Sequence, residues 1–162
     1  MSETKNEPPE TILVAALLAR ELKISIAESC TGGLVAKMIT SVPGSSKVFD
    51  FGAVCYSDEM KTKLLDVSQK TLETYGAVSR ETAKEMAQEI ARYCGADIGV
   101  GITGIAGPGG GSLEKPVGLV YVAVYFNNEC RVDELRLSGN REEVRNTAAR
   151  RVLELAVHLL DI

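Results

Sequence analysis

The order of its predicted elements constrains this chain most, because short strand-like segments alternate with helical ones. Strand periodicity or β-branched and aromatic content predicts strands over 23–27, 51–56, 97–103, 117–126 and 131–137. Helical spacing and caps predict helices over 10–22, 31–41, 57–65, 68–76, 79–93 and 140–160. The last two strands form a hairpin joined near Asn127 and Asn128. Strands alternating with helices indicate a layered α/β domain.

The length of 162 residues is sufficient for one domain with a hydrophobic core of its own. We expect a flexible segment over residues 1–9 and one folded domain over 10–162. Four cysteines are spread along the chain without any C-x-x-C pair, so their spacing suggests neither a zinc site nor a disulfide framework. Buried, reduced thiols are the expected state of Cys30, Cys55, Cys94 and Cys130.

Charge and hydropathy narrow the class of partner. The first ten residues are polar and lack the basic and apolar regions of a signal peptide, and no apolar run is long enough to cross a membrane. We therefore expect a cytoplasmic protein that does not bind membranes. A net charge of -4 argues against nucleic-acid binding, but it leaves room for one basic pocket that holds a small phosphate.

Three polar loops rich in small residues follow predicted strands. They cover residues 28–33, 56–61 and 103–111. The carboxyl ends of parallel strands line the ligand crevice in sheets of this class. We therefore expect the three loops to converge on one site.

Ser29 lies in the first of these loops, just before a predicted helix. Backbone N–H groups at a helix N-terminus attract a phosphate or the oxyanion of acyl transfer, although Ser29 and Thr31 could equally be ordinary helix caps. A nucleophilic serine needs a base, and the only histidine, His158, lies in the terminal helix near the end of the chain. A carboxylate, a tyrosine or an unprotonated lysine remains as the candidate base.

The second loop offers such a lysine. Burial and the positive end of a helix would both lower the pKa of Lys61, whereas Asp58 and Glu59 would oppose this. Periodicity does not choose between Lys61 and Lys63, and a solvated surface lysine is the ordinary alternative. Tyr56 could orient the lysine or relay a proton, or it could simply be an aromatic strand residue.

Two further patterns concern phosphate. The G-x-G-x-x-G match over 99–104 is weak, because a second glycine cluster follows it where a helix should open and no acidic ribose partner lies at the expected distance. Arg141 and Arg145 are four residues apart, so they share one helix face and could hold a phosphate together. They could instead be solvated and paired with Glu142 or Glu143, and Glu143 is also placed to complete a capping box with Asn140.

Taken together, these segments resemble the C-terminal domain of the competence/damage-inducible protein CinA. That family includes stand-alone nicotinamide-nucleotide amidohydrolases of the PncC type. The resemblance rests on AESCTGG at 27–33, VPGSS at 42–46, YSDEMK at 56–61, YGAVS at 75–79, TGIAGPGG at 103–110, KPVG at 115–118 and GNREEVR at 139–145.

The resemblance implies a single-domain three-layer α/β/α sandwich with a mixed central sheet. It also implies hydrolysis of nicotinamide mononucleotide to nicotinate mononucleotide and ammonia, a step of pyridine-nucleotide salvage that needs no cofactor or metal. By motif position, Ser29 resembles the nucleophile, Lys61 the general base and Tyr56 an assisting hydroxyl. The resemblance further implies substrate contacts from Thr31, Gly32, Gly33, Thr103, Gly104, Arg141 and Arg145.

Two departures from the family pattern bear on activity. Position 58 is Asp where the family often has Asn, and a carboxylate there could raise the pKa of Lys61. Longer family members carry an additional N-terminal domain, for which we expect no room in these 162 residues. The resemblance is compatible with a homodimer.

Two other functions remain as alternatives to amide hydrolysis. One is a module that binds a pyridine nucleotide or small phosphate without catalysis. The other is a phosphotransferase, although no paired carboxylates for magnesium accompany the glycine loop.

Overall fold

The computed structural model describes residues 7–162. Within these residues six α-helices and five β-strands follow one another, with a short 3-10 helix at Ser45–Lys47 that the sequence did not predict. The helices are α1 (Pro9–Arg20), α2 (Leu34–Thr40), α3 (Asp58–Leu65), α4 (Gln69–Tyr75), α5 (Arg80–Cys94) and α6 (Arg141–Leu159). The strands are β1 (Ile24–Glu28), β2 (Phe49–Val54), β3 (Ile98–Gly104), β4 (Leu119–Phe126) and β5 (Glu129–Arg136).

The five strands form one mixed sheet in the order β2-β1-β3-β4-β5. Strand β1 is parallel to both of its neighbours, β2 and β3, whereas β3–β4 and β4–β5 are antiparallel. Asn127 and Asn128 have φ of 51° and 62°, the positive values that a two-residue hairpin turn requires. The predicted hairpin is confirmed, and the carboxyl ends of β1, β2 and β3 meet at one edge of the sheet.

Helices cover both faces of the sheet. Helices α1, α2 and α6 pack together on one face over the larger apolar core, which includes Leu17, Ile26 and Val152. Helix α5 lies along the other face with α3 and α4 packed against it, over a second cluster that includes Met86 and Ile90. The domain is therefore the expected three-layer α/β/α sandwich.

Most predicted boundaries agree with the structure to within two residues, but α2 begins three residues later than expected. Gly32 and Gly33 have φ of 60° and 100°, so they form a left-handed turn ahead of the helix and not its first turn. The cap also differs from the prediction, since the Glu28 side chain accepts the helix N–H groups. Strand β2 runs from Phe49 and ends at Val54, which leaves Tyr56 in the following loop.

At the N-terminus, α1 begins at Pro9, which is buried. Residues 1–6 of the predicted flexible segment lie outside the described residues. Among the described residues, no helix is both long enough and apolar enough to cross a membrane.

The glycines of the weak G-x-G-x-x-G match have a packing role. A Cβ on Gly99 or Gly101 would overlap a backbone carbonyl oxygen of α5, at Ala87 or Ala83 respectively. Helix α5 therefore lies closer to β3 than any side chain would allow.

Replacing Gly99 by alanine should lower the free energy of unfolding by about 1–3 kcal/mol, because the added methyl group forces α5 away from the sheet. Urea denaturation measures this change. Gly109→Ala is the matched control, since a Cβ there meets nothing within 4 Å. Equal stability of the two variants would contradict the packing role.

Candidate active site

The three predicted loops do converge at the carboxyl edge of the sheet. In the strand register, Glu28 pairs with Val54 of β2 and with Ile102 of β3. Ser29, the first residue after β1, donates its N–H to the Ile102 carbonyl at 3.1 Å, and Cys55 donates its N–H to the Glu28 carbonyl at 2.8 Å. The backbone thus places Ser29 between the loops that follow β2 and β3.

Lys61 lies directly against Ser29, with Lys61 Nζ donating to Ser29 Oγ at 3.1 Å. Ser57 caps α3 by accepting the Met60 N–H, and the helix then turns Lys61 and Leu65 inward while Lys63 remains exposed. Lys61 is 1% exposed and Ser29 is 8% exposed. The structure therefore distinguishes the two lysines that periodicity left equivalent.

The environment of Lys61 favours its neutral form. Burial lowers the pKa of Lys61 below the ordinary 10.5, and the Asp58 carboxylate is the main group acting in the opposite direction. Asp58 Oδ1 lies 3.9 Å from Lys61 Nζ, but the Asp58 side chain is 62% exposed, so water screens this pair. The predicted opposition by Asp58 is thus present and secondary to burial.

A cleft with a volume of about 260 Å³ opens in front of Ser29 and Lys61. This is close to the lower limit of about 300 Å³ for pockets that bind small molecules. Six of the predicted site residues line it: Ser29, Tyr56, Lys61, Thr103, Gly104 and Arg141. The glycine loop after β3 forms one wall of the cleft, with Gly107, Gly109 and Gly110 at its surface.

Arg141 spans this cleft from the start of α6. Its Nη1 donates to the Gly107 carbonyl at 2.8 Å, and its Nη2 donates to the Tyr56 hydroxyl oxygen at 3.0 Å. The Tyr56 hydroxyl accepts this bond and keeps its own proton to donate. Within residues 7–162, Tyr56 makes no hydrogen bond to Ser29 or Lys61.

Thr31, Gly32 and Gly33 lie behind Ser29 and do not line the cleft. Thr31 is fully buried, and its hydroxyl donates to Glu28 Oε2 at 2.5 Å. The same carboxylate accepts the Gly33, Val35 and Ala36 N–H groups at 2.9–3.1 Å. The N-terminus of α2 therefore holds an internal carboxylate in the place where sequence reasoning expected a substrate oxyanion.

Arg145 also lies outside the cleft lining, one helical turn after Arg141. Its Nε donates to the Cys30 carbonyl and its Nη2 to the Thr31 carbonyl, each at 3.1 Å. The two arginines share a helix face, as predicted, but they contact different parts of the site. The capping box of Asn140 and Glu143 is also present at the start of α6.

Sequence reasoning missed several residues of the site. Glu28 is one, and its signal was an acidic residue shortly before a predicted helix. Ala77 and Val78 are two others, which reach the cleft because the Thr103 hydroxyl donates to the Ala77 carbonyl at 2.7 Å. No local pattern in the sequence predicts that contact, because it joins residues 26 positions apart.

Within the described residues, the side chains near Ser29 favour neither a cysteine nucleophile nor a histidine base. Cys30 touches the cleft, but burial raises the pKa of its thiol to about 11, so it is not a thiolate near neutral pH. All four cysteines are free. His158 is exposed on α6, and residues 7–162 contain no cluster of three or more metal-ligating side chains.

The chain is similar to known proteins in both its sequence and its fold. A CinA-like protein from Kosmotoga olearia is 55% identical over 143 residues, which cover 88% of this chain and 35% of that protein. The chain spans about a third of the length of the curated relatives it matches. The competence/damage inducible protein CihA from Agrobacterium tumefaciens is 41% identical, with a TM-score of 0.90 and 100% of each chain covered.

A CinA superfamily protein from Klebsiella pneumoniae also has this fold, with 35% identity, a TM-score of 0.91 and coverage of 94% of this chain and 96% of that one. The sequence model of the CinA C-terminal domain matches residues 6–160. With nearly the whole chain matched, the protein belongs to the CinA C-terminal domain family.

Proposed function

We propose that this chain is a nicotinamide-nucleotide amidohydrolase that converts nicotinamide mononucleotide to nicotinate mononucleotide and ammonia. The hydrogen bond between Lys61 Nζ and Ser29 Oγ carries the proposal, because it joins a nucleophile to a base inside a cleft. Ser-Lys pairs perform acyl transfer in other folds, and a lysine with a lowered pKa removes the need for histidine.

The reaction proceeds through an ester to Ser29. Neutral Lys61 takes the Ser29 hydroxyl proton while Oγ bonds to the carboxamide carbon, and the C=O electron pair moves to oxygen. The tetrahedral intermediate then collapses, the C–N bond breaks, and Lys61 returns its proton to the departing nitrogen as ammonia leaves. Water, deprotonated by Lys61, attacks the acyl-enzyme, and Ser29 recovers its proton when the carboxylate product leaves.

Arg141 and the glycine loop are the groups that suit the nucleotide phosphate. Arg141 is a fixed cation on the wall of the cleft, and a guanidinium binds phosphate oxygens in pairs. The small glycines of the loop that it contacts allow a ligand to approach the backbone closely. Binding energy from the phosphate would then favour the nucleotide over free nicotinamide.

Ammonia release from nicotinamide mononucleotide, measured with a coupled glutamate dehydrogenase assay, tests the proposal. We expect steady turnover of the nucleotide and much slower turnover of free nicotinamide at equal concentration. Calorimetric binding of the nucleotide without ammonia release would instead favour a binding module. Activity that disappears in a metal chelator would also contradict a metal-free Ser-Lys mechanism.

The Asp58→Asn variant should extend activity to lower pH. The Asp58 carboxylate raises the pKa of Lys61, so its removal makes neutral Lys61 available further into the acidic range. Below the midpoint we expect at most a severalfold gain in kcat/KM, since partly exposed pairs contribute about 0.2–1 kcal/mol. The pH profile of kcat/KM measures this, with Glu59→Gln as control, and an unchanged acidic limb would contradict it.

A further inference from the structure

We propose that Arg145 is a positioning residue that, with Glu28, fixes the turn of Ser29, Cys30 and Thr31 and so holds the Ser29 hydroxyl in place against Lys61. This inference rests on the proposed acyl transfer by Ser29. It assigns Arg145 a role in the turn and not on the phosphate.

The direction of the peptide between Cys30 and Thr31 is set by Arg145. In a trans peptide the C=O and the following N–H point in opposite directions. Because Arg145 Nε holds the Cys30 carbonyl from the α6 side at 3.1 Å, the Thr31 N–H points away from α6. Within residues 7–162 this N–H donates to no protein acceptor and Thr31 is fully buried, so the contact from Arg145 fixes the direction of the peptide without help from its own N–H.

A second hydrogen bond from Arg145 restricts the turn further. Its Nη2 donates to the Thr31 carbonyl at 3.1 Å, so the planar guanidinium fork grips two consecutive carbonyls. Gly32 permits this approach, because a Cβ there would lie 3.0 Å from Arg145 Nη2 and its φ of +60° disfavours other residues. Gly32 therefore leaves the space that the Arg145 guanidinium occupies. This explains the glycine at this position of the motif without a substrate contact.

Glu28 holds the same turn from its other side. Its carboxylate is 1% exposed and accepts the Thr31 hydroxyl, and it also accepts three N–H groups around the start of α2. Thr31 is thus fixed through its side chain by Glu28 and through its carbonyl by Arg145. Such a doubly held turn keeps the neighbouring Ser29 in one orientation before the reaction begins.

Arg141 and Arg145 offer a matched pair for the test. Both become methionine, and each variant is assayed with nicotinamide mononucleotide and with nicotinamide riboside, which lacks the phosphate. For Arg145→Met we expect kcat to fall by about 10- to 100-fold on both substrates with KM changed less than about twofold, because a reacting group misplaced by about 1 Å costs up to this much. Arg141→Met should instead raise KM for the nucleotide and reduce its preference over the riboside.

Arg145→Lys and Leu17→Ala separate positioning from loss of stability. A lysine can keep one of the two carbonyl contacts, so we expect partial rescue of kcat. Leu17 is a fully buried core residue of α1, and its alanine variant should lose thermal stability with little change in kcat. An Arg145→Met variant that only raises KM for the nucleotide, or that leaves kcat intact on both substrates, would overturn the proposal.

A failure of the proposed function remains distinguishable. The rate at which a fluorophosphonate modifies Ser29, followed by intact mass, reports on the nucleophile without any amide substrate. If the wild type releases no ammonia yet reacts with the probe, the substrate assignment fails, and slower labelling of Arg145→Met still supports positioning. If the wild type neither releases ammonia nor reacts with the fluorophosphonate, the positioning proposal fails as well.

Discussion

Replacing Ser29 by alanine should reduce ammonia release from nicotinamide mononucleotide by at least about 10³-fold, because no ester intermediate can then form. The substitution removes only a hydroxyl that accepts a hydrogen bond from Lys61 at 3.1 Å, so KM should change little. Initial rates over a range of substrate concentrations measure both expectations, and a thermal melt of the same preparation checks that the variant is folded.

Ser25→Ala provides the matched control for this loss. Ser25 is a buried serine on β1, the strand that precedes Ser29, and its hydroxyl donates to the Ile98 carbonyl at 3.4 Å at the end of β1 remote from the cleft. We expect this variant to keep near-normal kcat. If Ser29→Ala retained ammonia release within about tenfold of the wild type, Ser29 would not be the nucleophile.

Much of the fold could be predicted because its local signals agree with its packing. Caps at Ser57, Ser79 and Asn140 mark helix starts that the structure reproduces. The start of α2 was misplaced because its cap is Glu28, on the preceding strand, and because Gly32 and Gly33 have left-handed backbone conformations. Neither the distant cap nor the sign of φ can be read from local periodicity.

The candidate site, like the fold, could be predicted from the sequence only in part. Convergence of three loops follows from parallel strands, and residue chemistry limited the base to a few types. Which lysine reaches Ser29 depends on how α3 is rotated about its axis, and which of the two arginines on one face of α6 lines the cleft depends on where along that helix the cleft lies. Both are set by tertiary packing, so sequence reasoning grouped Arg141 with Arg145 although they have different partners.

The Lys61→Met variant should lose activity and gain stability. Without the base, kcat should fall by at least about 10³-fold, since the Ser29 proton has no acceptor. Methionine has a similar length and no charge, and replacing a buried charged group by an apolar one of similar volume often stabilises a protein by about 1–4 kcal/mol. Lys63→Met is the control, because Lys63 is exposed on the same helix and should affect neither quantity strongly.

The gain in stability should depend on pH in a direction that the pKa of Lys61 fixes. Burial lowers that pKa in the folded protein, whereas the unfolded chain keeps the ordinary value of 10.5. Between these two values the unfolded state binds more protons, so the stability of the wild type rises with pH across that interval. The advantage of Lys61→Met should therefore be largest below the folded pKa and shrink as pH approaches 10.5. Urea denaturation of both proteins at pH 7 and pH 10 measures this, and a methionine variant less stable than the wild type at pH 7 would mean that the structure needs Lys61 as much as the chemistry does.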